Sequence, residues 1–328
     1  MRRKLIRAAE RTVPLDRQSE FMADVRAGLC RVGQKQLPPK YFYDELGSVL
    51  FDAITLLPEY GLTRADTRLL TEHARDVAAL KHFSVVAELG SGSGLKTRHV
   101  LQAIALDSNV TYYPIDISAS ALRRCEQEIG SIQGVEVTPI EDSYLNGLRR
   151  LRRLRKPRSA MLVLFLGSSI GNLTLAETDD LCRSVRREMQ RGDVFLISTD
   201  LKKDVDRMIL AYDDPVGVTA AFNLNLLGRI NRELGGHFAL DAFRHHAFYD
   251  EERGRIEMHL VSKRSQVVAI DDLELEIALA EGESIHTESS YKHDDATLAA
   301  LASASGFAIE RKWTDARKFF TDVLMVSQ

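Results

Sequence analysis

A glycine-rich turn is the first feature of the sequence whose residues could do chemistry. Gly90, Gly92 and Gly94 alternate with serines, directly after an apolar stretch and before a helical pattern. Glycines let the backbone adopt positive φ and approach a ligand closely, and a helix N-terminus offers unpaired N–H groups to a carboxylate or phosphate. Asp116 ends the next apolar stretch, where a carboxylate can bind both hydroxyls of a ribose. These features fit either a dinucleotide or an adenosyl cofactor.

Two residues separate these cofactors. The dinucleotide fingerprint requires a third glycine where this chain has the bulky Leu95. Glu88, two residues before the first glycine, is typical of S-adenosylmethionine sites, where it orders the loop that faces the methionine end. The turn therefore favours S-adenosylmethionine, with S-adenosylhomocysteine as the product. Asp142 and Ser143 follow the third predicted strand, where the adenine amino group is usually held, although an ordinary polar loop would have the same composition.

A second loop, residues 165–174, follows the fourth predicted strand. In an open α/β sheet, ligands bind at the carboxyl ends of the strands, so we expect this loop to face the transferable methyl group. Asn172 and the carbonyl of Gly167 are suited to hold a small polar group such as an amine, although a turn capped by Asn172 is the simpler alternative. The loop lacks the Asp- or Asn-Pro-Pro-aromatic motif of many nucleobase and glutamine-amide methyltransferases, which disfavours those substrates.

The elements that must position these loops are apolar strands that alternate with helical patterns. Strands this apolar, separated by helices, indicate a parallel sheet covered on both faces, so we predict an α/β fold with a doubly wound sheet. The predicted strands are Phe83–Leu89 and residues 110–117, 135–140, 160–167 and 194–198, with helices at residues 95–105 and 118–129.

The remaining segments predict a second, interrupted α+β domain. Its first part has an amphipathic helical pattern at residues 16–32 and a lid-like aromatic segment at residues 36–62. Thr63 and Asp66 resemble a capping box at the start of a helix that reaches Ala79. Its second part is mostly helical over residues 200–234, with strands expected at residues 257–261 and 267–270, while a helix and strands after about residue 294 would complete the first sheet. The expected division is a cofactor domain of residues 64–200 and 293–328, a substrate domain of residues 16–63 and 201–292, and an N-terminal extension of residues 1–15.

The bulk composition disfavours several functions. A net charge of −3 over 328 residues gives no electrostatic reason to expect nucleic acid or an anionic membrane as a partner. No apolar run reaches the roughly 20 residues of a membrane helix. Three widely spaced cysteines suit a reducing cytoplasm, and His245 and His246 lack neighbouring ligands, so we expect a cytoplasmic monomer without a metal. The basic run at residues 149–158 is interpreted as a solvated helix end.

Eight segments from both predicted domains occur in an order that resembles one known family. The chain is similar to the histidine-specific methyltransferases of the ergothioneine pathway, which convert L-histidine to its Nα-trimethylated betaine, hercynine. This resemblance runs from about residue 20 to the C-terminus and implies a class I methyltransferase, Rossmann-like fold. The segments are Tyr41-Phe-Tyr-Asp44, Leu57-Pro-Glu-Tyr60, Glu88-Leu-Gly-Ser-Gly92, Phe165-Leu-Gly-Ser-Ser-Ile-Gly-Asn-Leu173, Ala211-Tyr-Asp-Asp214, Gly217-Val-Thr-Ala-Ala-Phe-Asn223, Arg255-Ile-Glu-Met258 and Thr287-Glu-Ser-Ser290.

The resemblance also implies a role for individual residues. Beside Glu88 and Gly92 of the glycine turn, the implied cofactor contacts are Tyr60, Gly90, Lys96, Asp116, Asp142 and Ser143. The implied contacts of the amino acid's amine and carboxylate are Asn172, the Gly167 carbonyl and Tyr212. The implied contacts of the imidazole are Tyr43, Met258, Glu288 and Ser290. The family often has a tryptophan where this chain has Tyr41, and a second aromatic residue where it has Gly61, so we expect the lid over the pocket to differ from that of the family.

The chemistry of these residues suits an imidazole. Glu288 and Ser290 are two apart, so on an extended segment both side chains face one way and can pair with the two ring nitrogens. Catalysis requires the amine to lose a proton, and Tyr43, Tyr212 and a water held by Asn172 are the expected acceptors, among which the sequence does not choose. The alternatives are the same chemistry on another amino acid or small amine, and a cofactor-binding module that regulates a partner.

Overall fold

The computed structural model describes residues 17–156 and 159–328, so the expected N-terminal extension lies outside the described residues. The strands of the described part are, in chain order, β1 (Lys35–Gln36), β2 (Phe83–Leu89), β3 (Val110–Asp116), β4 (Val135–Val137), β5 (Ile140–Glu141), β6 (Ala160–Phe165), β7 (Val194–Asp200), β8 (Phe243–Asp250), β9 (Arg255–Ser262), β10 (Gln266–Ile270), β11 (Leu275–Leu279), β12 (Ser284–Tyr291), β13 (Phe307–Thr314) and β14 (Phe320–Ser327).

The helices surround these strands, and short 3-10 turns occur at Pro39–Phe42, Ser169–Asn172, Leu240–Ala242 and Asp271–Leu273. The α-helices of the described part are α1 (Arg17–Leu29), α2 (Glu45–Leu56), α3 (Leu62–Ala78), α4 (Thr97–Ala105), α5 (Ala119–Ile129), α6 (Tyr144–Leu154), α7 (Leu175–Glu188), α8 (Val205–Leu210), α9 (Val218–Leu234) and α10 (Asp295–Ala304). Among the described helices, none combines the length and the apolarity that crossing a membrane requires.

The larger sheet has the strand order β13-β14-β7-β6-β2-β3-β4, and β5 also pairs with β3. Strands β2 to β7 run parallel, while β13 and β14 add an antiparallel edge. Successive residues of β2 enter opposite cores, with Ala87 and Leu89 in one hydrophobic cluster and Val86 in the other. This burial on both faces is why the strands are continuously apolar. The prediction of a doubly wound α/β sheet that the C-terminal strands complete is confirmed.

The smaller sheet has the order β1-β12-β9-β8, and β10 and β11 form a separate pair. Helix α9 packs against α2 and β8. The cluster beneath this sheet draws its buried residues from the stretches between Phe21 and Leu69 and between Met208 and Ile285, with Phe320 added. Most of these residues lie in the predicted substrate-domain segments, but Ala65, Leu69 and Phe320 lie in the predicted cofactor domain, so the division into two domains stays a prediction.

The two sheets meet where β7 and β12 end. The amide of His293 donates to the carbonyl of Asp200 over 3.1 Å, and the amide of Lys202 donates to the carbonyl of His293 over 3.1 Å. This junction brings the carboxyl end of β12 beside the carboxyl ends of the parallel strands. Ligands bind at that edge of a doubly wound sheet, so residues of both sheets can reach one site.

Several local expectations were wrong. The expected third strand is broken between Val137 and Ile140, because Pro139 has no N–H to donate to a ladder. Thr63 and Asp66 do not form a capping box, because α3 begins at Leu62 without a side-chain cap and the Asp66 side chain is buried elsewhere. Strands β8 and β11 were not expected. Helix α6 ends at Leu154 within the basic run, as expected for a helix end, but the Arg155 side chain is buried in an ion pair with Asp193 rather than solvated, and residues 157–158 lie outside the described residues.

Candidate active site

A cavity of about 530 Å³ opens at the shared edge of the two sheets. Every predicted site residue except Asp142 lines this cavity. The carboxylate of Asp142 instead accepts from the amide of Ser143 over 2.8 Å. The predicted residues that line it are Tyr43, Tyr60, Glu88, Gly90, Gly92, Lys96, Asp116, Ser143, Gly167, Asn172, Tyr212, Met258, Glu288 and Ser290. Residues that are far apart in the chain thus meet around one space, while their individual roles remain predictions.

The glycine turn connects β2 to α4 and forms one wall of the cavity. Gly90, Gly92 and Gly94 have φ values of 72°, 53° and 75°, which residues with a side chain rarely adopt. A Cβ on Gly94 would lie 2.7 Å from the sulfur of Cys125. The turn therefore requires glycine for its backbone conformation and for its close packing on α5.

Two carboxylates hold this turn in place. Asp116, at the end of β3, accepts from the amide of Gly92 over 3.0 Å, and burial raises its pKa. Glu88 accepts from the hydroxyl of Thr97 over 2.6 Å and from the hydroxyl of Tyr112. Burial raises the pKa of Glu88 to about 7, against the lowering effect of these hydrogen bonds. Glu88 thus ties the start of α4 to the sheet, which agrees with its expected role in ordering the loop.

Lys96 and Gly167 are joined by a residue that the sequence analysis misassigned. The buried Asp66 of α3 accepts from the ammonium of Lys96 and, over 3.0 Å, from the amide of Gly167. One carboxylate therefore links the glycine-turn side of the cavity to the loop after β6. Its spacing of three residues from Thr63 has the pattern of a capping box, so no local signal distinguishes the two roles.

Glu288 and Ser290 reach the cavity because β12 is irregular. The pairing of β12 with β9 shifts between His286 and Glu288, which is a β-bulge. Ile285 packs in the core on the cavity side, and regular alternation from it would turn residues 288 and 290 outward. The extra residue reverses that alternation, so Glu288 lies opposite Met258 of β9 and both line the cavity.

The loop after β6 contacts this strand. Gly171 approaches it so closely that a Cβ would lie 2.9 Å from the carbonyl oxygen of Tyr291. The neighbouring Asn172 donates from Nδ2 to Oε1 of Glu288 over 2.9 Å. Burial raises the pKa of Glu288 to about 7, although Lys292 and Asn172 lower it. A carboxyl group with this pKa exists in both protonation states near neutral pH.

Aromatic side chains close the space between the two ends of the cavity. The rings of Tyr60 and Tyr212 lie 6.3 Å apart, and Tyr43 lies 5.8 Å from Phe222 of α9. Burial raises the pKa of Tyr43, Tyr60 and Tyr212 well above the usual value, because a phenolate would be poorly solvated there. These hydroxyls therefore stay protonated and act through hydrogen bonds.

Two charged residues that lie behind the lining of the cavity were missed. Lys292 follows β12 and donates from its buried ammonium to Ser290 and Tyr212, and it forms an ion pair with Asp200 at the end of β7. Both had a signal in the sequence. Lys292 is two residues from Ser290 on an extended segment, and Asp200 is close to the carboxyl end of a predicted strand.

Histidines elsewhere in the smaller sheet have other partners. Nε2 of His245 donates to the carbonyl of Tyr212 over 2.8 Å, while Nδ1 accepts from Asn223 over 2.8 Å. Glu257, His259 and His286 are the one group of potential metal ligands among the described residues. Glu257 already accepts from His259 over 2.8 Å, and neither residue lines the cavity, so this group belongs to a separate hydrogen-bonded network.

Comparison with known proteins decides the family. The profile described as "Histidine-specific methyltransferase, SAM-dependent" matches residues 21–327. The chain belongs to this family. A histidine N-alpha-methyltransferase from Mycolicibacterium smegmatis is 40% identical over 295 residues, which cover 89% of this chain and 90% of that protein. This chain is thus an S-adenosylmethionine-dependent N-methyltransferase, and the predicted family, enzyme class and cofactor are confirmed.

Two more distant relatives of this methyltransferase differ in length and in name. The ergothioneine biosynthesis protein 1 of Neurospora crassa is 28% identical over 301 residues, which cover 90% of this chain and 34% of that protein. An L-tryptophan methyltransferase from Psilocybe serbica is 26% identical over 308 residues, which cover 86% of each protein. Relatives of the family thus carry the names of different amino-acid acceptors.

Proposed function

We propose that this enzyme transfers methyl groups to the α-amine of L-histidine, three times in succession, and releases hercynine. The observation that carries the proposal is the contact between Asn172 and Glu288. It places the expected amine-binding residue beside the expected imidazole-binding residue. Histidine carries its amine and its ring on neighbouring carbons, so both groups of one molecule would fit this spacing. The name and length of the mycobacterial relative support the same acceptor.

The residues of the cavity fit the cofactor. Glycines of positive φ leave room for a ligand at the N-terminus of α4, Asp116 is suited to the ribose, and Lys96, a predicted cofactor contact, lies at the N-cap of α4. When bound there, S-adenosylmethionine supplies a sulfonium methyl group that is already activated. The protein then needs mainly to align the acceptor and to exclude water, and the buried rings of Tyr60 and Tyr212 do both.

The attacking amine must be unprotonated, because only a free lone pair can accept the methyl group. Tyr43 and Tyr212 keep their own protons, since burial raises their pKa values well above the usual one. Neither neutral phenol can therefore take up another proton. Of the three expected acceptors, a water held by Asn172 is the one we propose. After each of the first two transfers, loss of a proton restores the lone pair of the nitrogen. After the third transfer no N–H remains, so the quaternary ammonium has no lone pair and the reaction stops.

The test uses the purified chain, S-adenosylmethionine and single amino acids, with product masses followed over time. Histidine should gain one, two and finally three methyl groups, and Nα,Nα-dimethylhistidine should be converted to the same end product. A reaction that stops before the third methyl group would contradict the trimethylation. Absence of any transfer to histidine would contradict the proposal that histidine is the acceptor.

The same assay tests methylation of another amino acid, for which the resemblance to a tryptophan methyltransferase is the supporting observation. An indole offers one N–H and no ring lone pair, whereas Glu288 and Ser290 together suit a ring with two polar nitrogens. Transfer to tryptophan in preference to histidine would favour the alternative. No transfer to any compound would leave only a cofactor-binding role.

A further inference from the structure

The ammonium of Lys292 is fully enclosed and fully hydrogen-bonded. Its side chain is 0% exposed, and Nζ lies 2.8 Å from the hydroxyl of Ser290, 3.0 Å from the hydroxyl of Tyr212 and 3.0 Å from Oδ2 of Asp200. A lysine ammonium has three N–H groups and cannot accept a hydrogen bond. These three partners therefore use every hydrogen that Lys292 has, and both hydroxyls must accept from it.

The hydroxyls of Tyr212 and Ser290 also bond to each other over 2.7 Å. Each hydroxyl brings one hydrogen, and their mutual bond uses one of the two. One hydrogen is left whichever of them donates in that bond. Both residues line the cavity, so the remaining hydrogen is available to a substrate there. With Lys292 in place, the hydroxyl pair therefore presents a donor to the cavity.

We infer that Lys292 is a positioning residue that fixes Tyr212 and Ser290 as a hydrogen-bond donor, so that the site selects one neutral tautomer of the imidazole. Glu288, which lies on the same side of β12 as Ser290, supplies the opposite character because its carboxylate accepts. A ring between them must show a lone pair to the hydroxyls and an N–H to the carboxylate. The inference rests on the proposed function, since it concerns how the site would recognise the imidazole ring of histidine by hydrogen bonds.

Asp200 makes the buried ammonium tolerable. Its carboxylate is 1% exposed and pairs with both Lys292 and Lys203. A buried cation without such a partner would be strongly disfavoured. Lys203 contacts Asp200 and the carbonyl of Phe319 but neither hydroxyl, so it is a matched control for Lys292. Replacing either lysine removes one positive charge from the same carboxylate, and only Lys292 orients the hydroxyls.

The experiment compares two histidine analogues, 3-(thiazol-4-yl)-alanine and 3-(thiazol-5-yl)-alanine. Each has one ring nitrogen with a lone pair, at one or the other of the two positions that nitrogen occupies in histidine, and neither has a ring N–H. Inhibition constants against histidine methylation are measured for wild type, Lys292→Met and Lys203→Met. Wild type should prefer one isomer by about tenfold, as expected for a single directed hydrogen bond. Lys203→Met should keep this preference, and Lys292→Met should reduce it to within about twofold, because freed hydroxyls can turn.

Equal binding of the isomers to wild type, an unchanged preference in Lys292→Met, or a lost preference in Lys203→Met would overturn the inference. A second measurement needs no variant and covers the case in which Lys292→Met does not fold. Ring-¹⁵N-labelled histidine, bound to wild type with S-adenosylhomocysteine at pH 8, where the Glu288 carboxyl group is ionised, should show one protonated and one unprotonated nitrogen. Two protonated ring nitrogens would overturn the inference. Failure of the proposed function is a separate result, namely no methyl transfer to histidine by wild type.

Discussion

Replacing Glu288 by glutamine tests recognition of the substrate's imidazole separately from binding of the cofactor. Glu288 is 7% exposed and lines the cavity, and its Oε1 accepts from Asn172. Glutamine has nearly the same shape but no charge. The substitution thus weakens one predicted contact with the imidazole and leaves the glycine turn unchanged.

The magnitude follows from the type of hydrogen bond. A bond to a charged group contributes about 1.5–3 kcal/mol and a neutral one about 0.5–1.5 kcal/mol, so we expect a loss of about 1–2 kcal/mol. The KM for histidine should rise roughly 5- to 30-fold at pH 8, at an unchanged affinity for S-adenosylhomocysteine. Because burial raises the pKa of Glu288 to about 7, the carboxyl group is protonated in slightly acidic solution. The difference in KM between variant and wild type should therefore shrink as the pH falls below 7.

Stability should change in the opposite direction. Below the unfolded pKa, the Glu288 carboxyl group is protonated in both states and burial of its charge costs nothing. As the pH rises to about 7, the unfolded chain ionises first, so wild type loses stability that the glutamine variant keeps. The variant should thus be more stable than wild type by about 3 kcal/mol at pH 8 and by almost nothing at pH 4.

The assay combines steady-state kinetics with calorimetric titration of S-adenosylhomocysteine. Glu257→Gln is the control, because Glu257 is also 7% exposed on the same sheet and does not line the cavity. This control should leave the KM for histidine unchanged. Equal losses of histidine and cofactor binding in Glu288→Gln would refute the reasoning, since they would mean that Glu288 supports the whole cavity.

Three further substitutions test other parts of the structure. Gly94→Ala should weaken binding of S-adenosylhomocysteine about tenfold, since its φ is 75° and its Cβ would lie 2.7 Å from the sulfur of Cys125; unchanged calorimetric affinity would contradict this. Glu88→Gln should raise the thermal midpoint at pH 8 but not at pH 4, because burial raises the Glu88 pKa to about 7, and an equal gain at both pH values would disprove that cause. Asp193→Asn breaks a buried ion pair with Arg155 and should lower the free energy of unfolding in urea by about 3–5 kcal/mol; a loss below about 1 kcal/mol would show that the pair is not coupled.

The parallel strands could be predicted because burial on both faces makes their residues continuously apolar, and such runs are visible in the sequence. Phe83–Leu89 is found as predicted, and the strands at residues 110, 160 and 194 begin where expected. The smaller sheet is harder, because polar residues occupy both sides of its strands. His245 and His246 are successive residues of β8, so they lie on opposite faces and interrupt the apolar pattern, and this strand was missed.

The site residues were found where a motif spans several positions, and they were missed where a residue acts alone. Glu88 and the glycines form a pattern that local chemistry explains. Asp66 has no such pattern, and its contacts with Lys96 and Gly167 arise only because α3 packs against α4 and β14, which brings it to the loops after β2 and β6. Lys292 had a signal in its spacing from Ser290, but one lysine on an extended segment is ordinarily solvated.

The sequence by itself identified the cofactor. The glycine turn and Glu88 form a motif whose residues are close together in the chain, so local sequence is enough to recognise it. That the side chains of Glu288 and Ser290 face the same way could also be anticipated from their spacing. The tertiary structure alone decided how these two side chains face the cavity, since the bulge after His286 reverses the alternation along β12. It also decided which charges surround them, because Asp200 and Lys292 meet only where the two sheets join. Such contacts depend on the register of distant strands, and no local preference of the chain records that register.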